Sequence, residues 1–219
     1  PATLEPGPQL GETRKLVEAL AIYAANLKAL AESDTPAAAK GSIAAINGQI
    51  GDIARLLGRP TPEPVSAAGD LVRWIVGAYL DSVKLAALRE ATANGEKALG
   101  EPTAFLTALA GLLETAERNA VLASYGEAKD AVHTAGDGAT REEILAWEAA
   151  RERFDVLLRL RSGAVFQDMR EAHAALYRAL HSPDLSFEGA LAEIKQFGES
   201  ARELFEILKR LEPGLAKEG

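Results

Sequence analysis

Apolar residues recur along this chain in steps of three and four, the spacing that places them on one face of an α-helix. Leu16, Leu20, Tyr23, Leu27 and Leu30 form the first such stripe and predict a helix over 11–33. Asp34-Thr35-Pro36 then reads as a cap followed by proline in the first turn of the next helix. In that second helix Ile43, Ile46, Ile50, Ile53 and Leu57 repeat the pattern up to Gly58, with Pro60, Pro62 and Pro64 behind it. Its interior also holds Gly41, Gly48 and Gly51. Glycine costs about 1 kcal/mol against alanine in a helix interior. These three therefore predict a close backbone approach to a neighbour, expected to be the first helix. A third helix is expected over 65–93, with Val72, Val76, Tyr79, Val83 and Ala86 on its stripe. Leu71, Ile75, Leu80 and Leu88 widen that face, which predicts a central helix, and Asn94-Gly95 reads as its end.

Phe105, Leu109, Leu112, Leu113, Ala116, Ala120 and Ala123 predict a fourth helix over 102–135, closed by the turn Ala135-Gly136-Asp137-Gly138. Thr140 followed by Glu143 is a capping box and opens a fifth. Ile144, Trp147, Phe154 and Leu158 continue it, then Phe166, Met169, His173, Leu176 and Leu180. No proline intervenes before Pro183, so 140–181 reads as one long helix kinked at Ser162-Gly163. Ser186 caps the last helix, whose stripe runs through Phe187, Leu191, Ile194, Phe197, Ala201, Leu204, Leu208 and Leu211 to a stop at Pro213. The alternation of a strand appears nowhere. The expected fold is all-α, a bundle of about six helices. One domain over 9–219 follows a flexible, proline-rich arm over 1–8.

At 1.5 Å per residue, 102–135 would span about 50 Å and 140–181 about 63 Å, against roughly 30–40 Å for the other helices. The two long helices would form an antiparallel hairpin that projects past the bundle over about 114–161. Folding it near Asp137 sets Glu114 beside Arg161, and Glu127 beside Arg151 or Arg153. Such exposed pairs are worth about 0–1 kcal/mol each, but they help to set register.

Composition narrows the function classes. The chain has no cysteine, which removes thiol catalysis, zinc–thiolate sites and disulfides together. Its net charge of -8, with no long basic run, argues against nucleic acid as a partner. Only 5% of residues are aromatic, so the core must be built from Leu, Ile, Val and Ala. No apolar stretch approaches the roughly 20 residues that span a bilayer. The chain opens on Pro1 rather than Met, which leads to the expectation that something upstream has been removed.

Candidate chemistry is sparse. His173 sits in an apolar stripe with Arg170 and Tyr177 near it, and is expected to be a packed or partly exposed histidine. Asp130 and His133 have the spacing of two metal ligands, but two ligands do not make a selective site, so no metal and no cofactor are expected. No glycine-rich phosphate loop joins strand to helix, and no serine stands in a nucleophile elbow. No catalytic residue is expected, and the chain does not read as an enzyme. Arg151, Arg153, Arg159 and Arg161 interleave with Glu148, Glu152 and Asp155 as on a solvated helix face. Trp147 lies near the hairpin tip, where two helices alone cannot bury an indole. With Tyr125, Arg151 and Phe154 it makes the candidate contact for a protein partner.

The run Ala19-Leu20-Ala21-Ile22-Tyr23-Ala24-Ala25-Asn26-Leu27-Lys28-Ala29-Leu30-Ala31 resembles the start of uncharacterised all-helical lipoproteins of Gram-negative bacteria. Val72-Arg73-Trp74, Tyr79, Ala87-Leu88-Arg89-Glu90 and Ala172-His173-Ala174-Ala175-Leu176 resemble later segments of those chains. The resemblance implies a periplasmic or envelope protein held to the membrane only by a lipid anchor upstream of Pro1; the cytosol is the alternative compartment. It brings no activity with it. The expected function is a non-enzymatic structural or protein-interaction module. The alternative is a binding module for an apolar small molecule or lipid, held in a cleft around the second and third helices.

Overall fold

The computed structural model describes residues 8–65, 80–116, 121–183 and 187–210. Among them are eight α-helices: α1 (Pro8–Glu32), α2 (Pro36–Leu56), α3 (Leu80–Leu99), α4 (Pro102–Ala116), α5 (Leu122–Ala135), α6 (Arg141–Arg161), α7 (Ala164–His181) and α8 (Phe187–Lys209). No strand occurs among the described residues. The arm over 1–7, and the Leu71, Val72, Ile75, Val76 and Tyr79 part of the expected third helix, lie outside them.

The predicted stripes become the core. Leu16, Leu20, Tyr23, Leu27 and Leu30 of α1 are fully buried, and Ile43, Ile46, Ile50 and Ile53 of α2 face them. Phe166, Met169, His173, Leu176 and Leu180 of α7 and Ile194, Phe197, Ala201, Leu204 and Leu208 of α8 complete the centre. α1 is the hub: it packs against α2, α3, α4 and α8, while α7 bridges α3 and α8. Thr35 caps α2 as expected, its Oγ1 accepting the Ala38 N–H at 3.2 Å. The capping box at the head of α6 is also present, with the Glu143 N–H on Thr140 Oγ1 at 3.2 Å and the Thr140 N–H on Glu143 Oε2 at 2.8 Å.

Four expectations are corrected. The stretch 140–181 is two helices: Gly163, at φ 69°, takes the left-handed conformation that ends α6, and α7 starts at the next residue. α3 does not stop at Asn94-Gly95 but runs on to Leu99, and Gly100 at φ 69° follows it. Ala86, Ala123, Ile144 and Leu158, all assigned to apolar stripes, are exposed. Gly41 and Gly48 face open space, and a β-carbon on Gly51 would touch only the Thr61 methyl at 3.5 Å, so none of them brings α1 close.

Three cations crossing between helices tie this core together. Lys84 of α3 donates to the carbonyls of Ala31 (3.2 Å) and Ser33 (3.0 Å) at the end of α1. Arg89 of α3 donates from Nε to the Leu180 carbonyl (2.6 Å) in the last turn of α7. Arg170 of α7 donates to the Gly100 carbonyl (3.0 Å) just past α3. Each supplies positive charge and a donor where a helix leaves its last carbonyls unsatisfied.

Candidate functional site

Two places carry chemistry, one on the α5–α6 pair and one in the core. α5 packs against α6 across the turn at 136–139, and no residue of α5 is buried. Of the candidate contact residues, Tyr125 and Phe154 come together with ring centroids 4.6 Å apart and planes nearly parallel. Trp147 is half-buried, and the Arg151 guanidinium lies 5.8 Å from its ring centroid. The indole Nε1–H is shielded from solvent and finds no acceptor. The four residues thus form two pairs along the hairpin. Around them Leu122, Ile144, Leu145 and Leu158 stand 40–54% exposed, whereas Ile22 is the one comparable residue elsewhere among those described.

The interleaved charged residues of α6 stand exposed as expected, with Arg153 half-buried. Glu152 pairs with Arg210, and Arg159 with Glu203, at 4.0 and 3.9 Å, exposed side chains that reach toward the end of α8. The Glu114 side chain lies outside those described. Burial on α6 is confined to Ala150 near its middle and to Val156, Leu157 and Leu160 on the half away from the turn.

The second place is a polar cluster that sequence reasoning missed. His173 is fully buried between α1, α3 and α8. Its Nδ1 lies 2.9 Å from Glu96 Oε2, and its Nε2 lies 3.3 Å from Tyr23 Oη. Tyr23 also donates to the Ala91 carbonyl at 3.2 Å. Arg170 holds both oxygens of Glu96, at 2.6 and 3.2 Å. Its Nε, buried, has no partner. Gly95 makes the space: a β-carbon there would stand 2.5 Å from Tyr23 Oη and 2.9 Å from His173 Nε2.

Burial pushes the His173 imidazole below its usual value; the bond and charge of Glu96 oppose this and the Arg170 charge adds to it. Burial, aided by the Glu96 charge, drives the Tyr23 phenol far above its usual value. Burial alone would raise Glu96, but hydrogen bonds from His173 and Arg170, with their charges, outweigh it and hold the carboxyl below the usual range. The only local signals were a tyrosine and a histidine inside apolar stripes and a glycine read as a helix end. Their partners lie on other helices, which no spacing rule reaches.

Asp130 and His133 are both exposed, and no group of three metal-ligating residues forms among the described residues. His181 is exposed, with Nδ1 2.8 Å from the Tyr177 carbonyl. The grooves on the molecule are lined by other residues than the polar cluster. One of about 810 Å³ runs between α1 and α8, past Ala21, Ile22, Ala25, Gly198 and Phe205. Another, of about 710 Å³, lies between α4 and the α6–α7 junction, past Leu106, Leu109, Leu113, Leu160 and Phe166. Around α2, where the cleft for an apolar ligand was expected, the surface pocket is polar, with Asn47, Asp52, Arg55, Arg59 and Thr61. No protein family matches the chain, and neither a curated protein nor a solved structure matches it.

Proposed function

We propose that the protein is a non-enzymatic interaction module whose α5–α6 hairpin stands off the bundle and docks a protein partner. The observation that carries this reading is the distribution of burial along the hairpin. α5 has no buried residue, the buried residues of α6 gather away from the turn, and Leu122, Ile144, Leu145 and Leu158 remain exposed. Four large apolar side chains left in solvent on one helix pair are of the kind that association surfaces cover. Trp147 and Arg151, already paired, supply the residue types that dominate contact energies. In this reading the module belongs to the cell envelope and is tethered at its N-terminus. The proline-rich arm and the lipoprotein resemblance support that placement, and among the described residues no helix is long and apolar enough to cross a membrane.

Photo-crosslinking tests the docking. A crosslinker at Leu145 or Leu158 should capture one discrete partner in cells of the source. Leu145→Glu with Ile144→Glu should abolish the product while leaving the fold intact by circular dichroism. A crosslinker at Lys40, on the far element α2, should give none. Equal yields from all three positions would overturn the proposal.

A second reading, binding of an apolar ligand, has one observation in its favour: Leu106, Leu109, Leu113, Leu160 and Phe166 line the groove at the α6–α7 junction, beside Thr107, Arg161 and Ser162. Native mass spectrometry of protein purified without detergent checks it. A bound amphiphile lost on Leu109→Trp would favour this reading over the first.

A further inference from the structure

We propose that Tyr23, Glu96, Arg170 and His173 form an acid-released latch that holds α7 against α1 and α3 at neutral pH and lets go when one proton enters. Glu96 carries one negative charge and Arg170 one positive, so the cluster sums to zero only while His173 is neutral. Tyr23 and His173 are 0% exposed and Arg170 is 5% exposed, and only the Glu96 side chain, 28% exposed, meets solvent, so a second cation here is poorly screened.

Counting hydrogens then says where the proton goes. Nδ1 faces the Glu96 carboxylate and must carry the hydrogen of the neutral ring. Nε2 is therefore an acceptor, and the Tyr23 hydroxyl has one hydrogen for two acceptors, Nε2 and the Ala91 carbonyl. An incoming proton binds Nε2. The ring then donates to Tyr23 Oη, and the tyrosine hydrogen goes wholly to Ala91. Hydrogen bonds are satisfied in that state, but one positive charge is left over beside Arg170. Relief comes from hydration, which requires α7 to part from α3.

The groups facing the ring are those that set this balance. α1 presents Tyr23, α3 presents Glu96 and the bare backbone of Gly95, and α8 presents the edge of Phe197. Arg170 comes from α7 itself. α4 meets the start of α7 around Phe166, and its one ionisable residue is Glu114. Lys84 and Arg89 lie further along α3, on the ends of α1 and α7. The sign follows from linkage. The closed form holds His173 below its free value, so the open form binds the extra proton, and closure weakens as pH falls below about 6.5.

The test is an NMR titration of the whole chain, labelled with ¹⁵N-histidine, combined with amide exchange from pH 7.5 to 4.5. The expected result is that Nε2 of His173 stays unprotonated through the ordinary imidazole range. Protection of α3 and α7 amides, corrected for intrinsic exchange, should then fall by up to tenfold per pH unit, the limit for one linked proton. His173→Gln keeps a neutral donor and acceptor and should flatten that slope; His181→Gln should not. A slope unchanged in His173→Gln overturns the latch. So does protonation of His173 at or above pH 6.5 with protection intact. Should His173→Gln fail to fold, the wild-type titration decides alone: protection of α3 and α7 that stays flat as pH falls below about 6.5, or a ring that protonates with protection intact, overturns the proposal.

Discussion

A methyl group at Gly95 would collide with a phenol oxygen that has nowhere to retreat. Tyr23 is fully buried, held by Ala91 and His173, and packed edge-on against Phe197. Gly95→Ala should therefore destabilise the protein by about 1–3 kcal/mol, the usual range for overpacking a filled core. Tyr23→Phe alone should cost about 1 kcal/mol for the lost hydrogen bond. Removing the oxygen also removes the shortest contact, so Gly95→Ala should cost less when combined with Tyr23→Phe than in the wild type. Urea unfolding of the four proteins measures the coupling, and strict additivity would argue against the collision. This is also where sequence reading reached its limit. Tyr23 and His173 were legible as core positions because burial follows periodicity. Asn94-Gly95 was misread because the same dipeptide serves a helix end and a tight crossing, and the rings that decide between them lie on other helices.

Between helices, the deciding contacts are the cations that cross onto helix ends. Lys84 is buried within α3, and its ammonium reaches the Ala31 and Ser33 carbonyls. Lys84→Met keeps most of the packing and leaves those acceptors without the ammonium, so it should cost about 1–3 kcal/mol. Faster amide exchange in the last turn of α1, with the rest of α1 unchanged, would identify the cause. Gly163→Ala should cost about 1–2 kcal/mol, because an alanine at φ 69° strains against its own carbonyl. A stabilised Gly163→Ala protein would mean that 140–181 is better off as the single helix its periodicity suggests. The long-helix reading failed at this point for a simple reason: a serine–glycine pair bends some helices and ends others, and the choice was made by the packing of α7 on α3 and α8.

For the molecule as a whole, acid should weaken the fold in two stages. His173 is held low in the folded state, so stability is lost as pH falls below about 6.5 toward its folded value. Glu96 is also held low, so its contribution is complete above the ordinary glutamate value and is lost as pH falls from there toward its folded value. Urea midpoints taken at half-unit intervals should show both steps, and a flat profile from pH 7 to 5 would contradict the first. Amide exchange should also map a gradient along the hairpin, fast in α5 and in the first turns of α6, slow from Val156 to Leu160. The all-helical character and boundary signals such as Thr35, Thr140 and Gly58 could be read directly because they are local. Which helices touch, and where the interior is polar, depends on residues far apart in the chain.

Chain growth meets those cross-helix ends in a fixed order. The cation for the end of α1 arrives with α3, but the guanidinium that closes α3 and neutralises Glu96 sits 74 residues further on, in α7. At roughly 5–20 residues per second, a ribosome would take about 4–15 s to deliver it. Through that interval a nascent chain has α1 to α4 with a carboxylate and a helix terminus waiting in its interior. The bundle is therefore expected to lock only after α7 has emerged, late in synthesis, and a chaperone that shields α3 would act in that window.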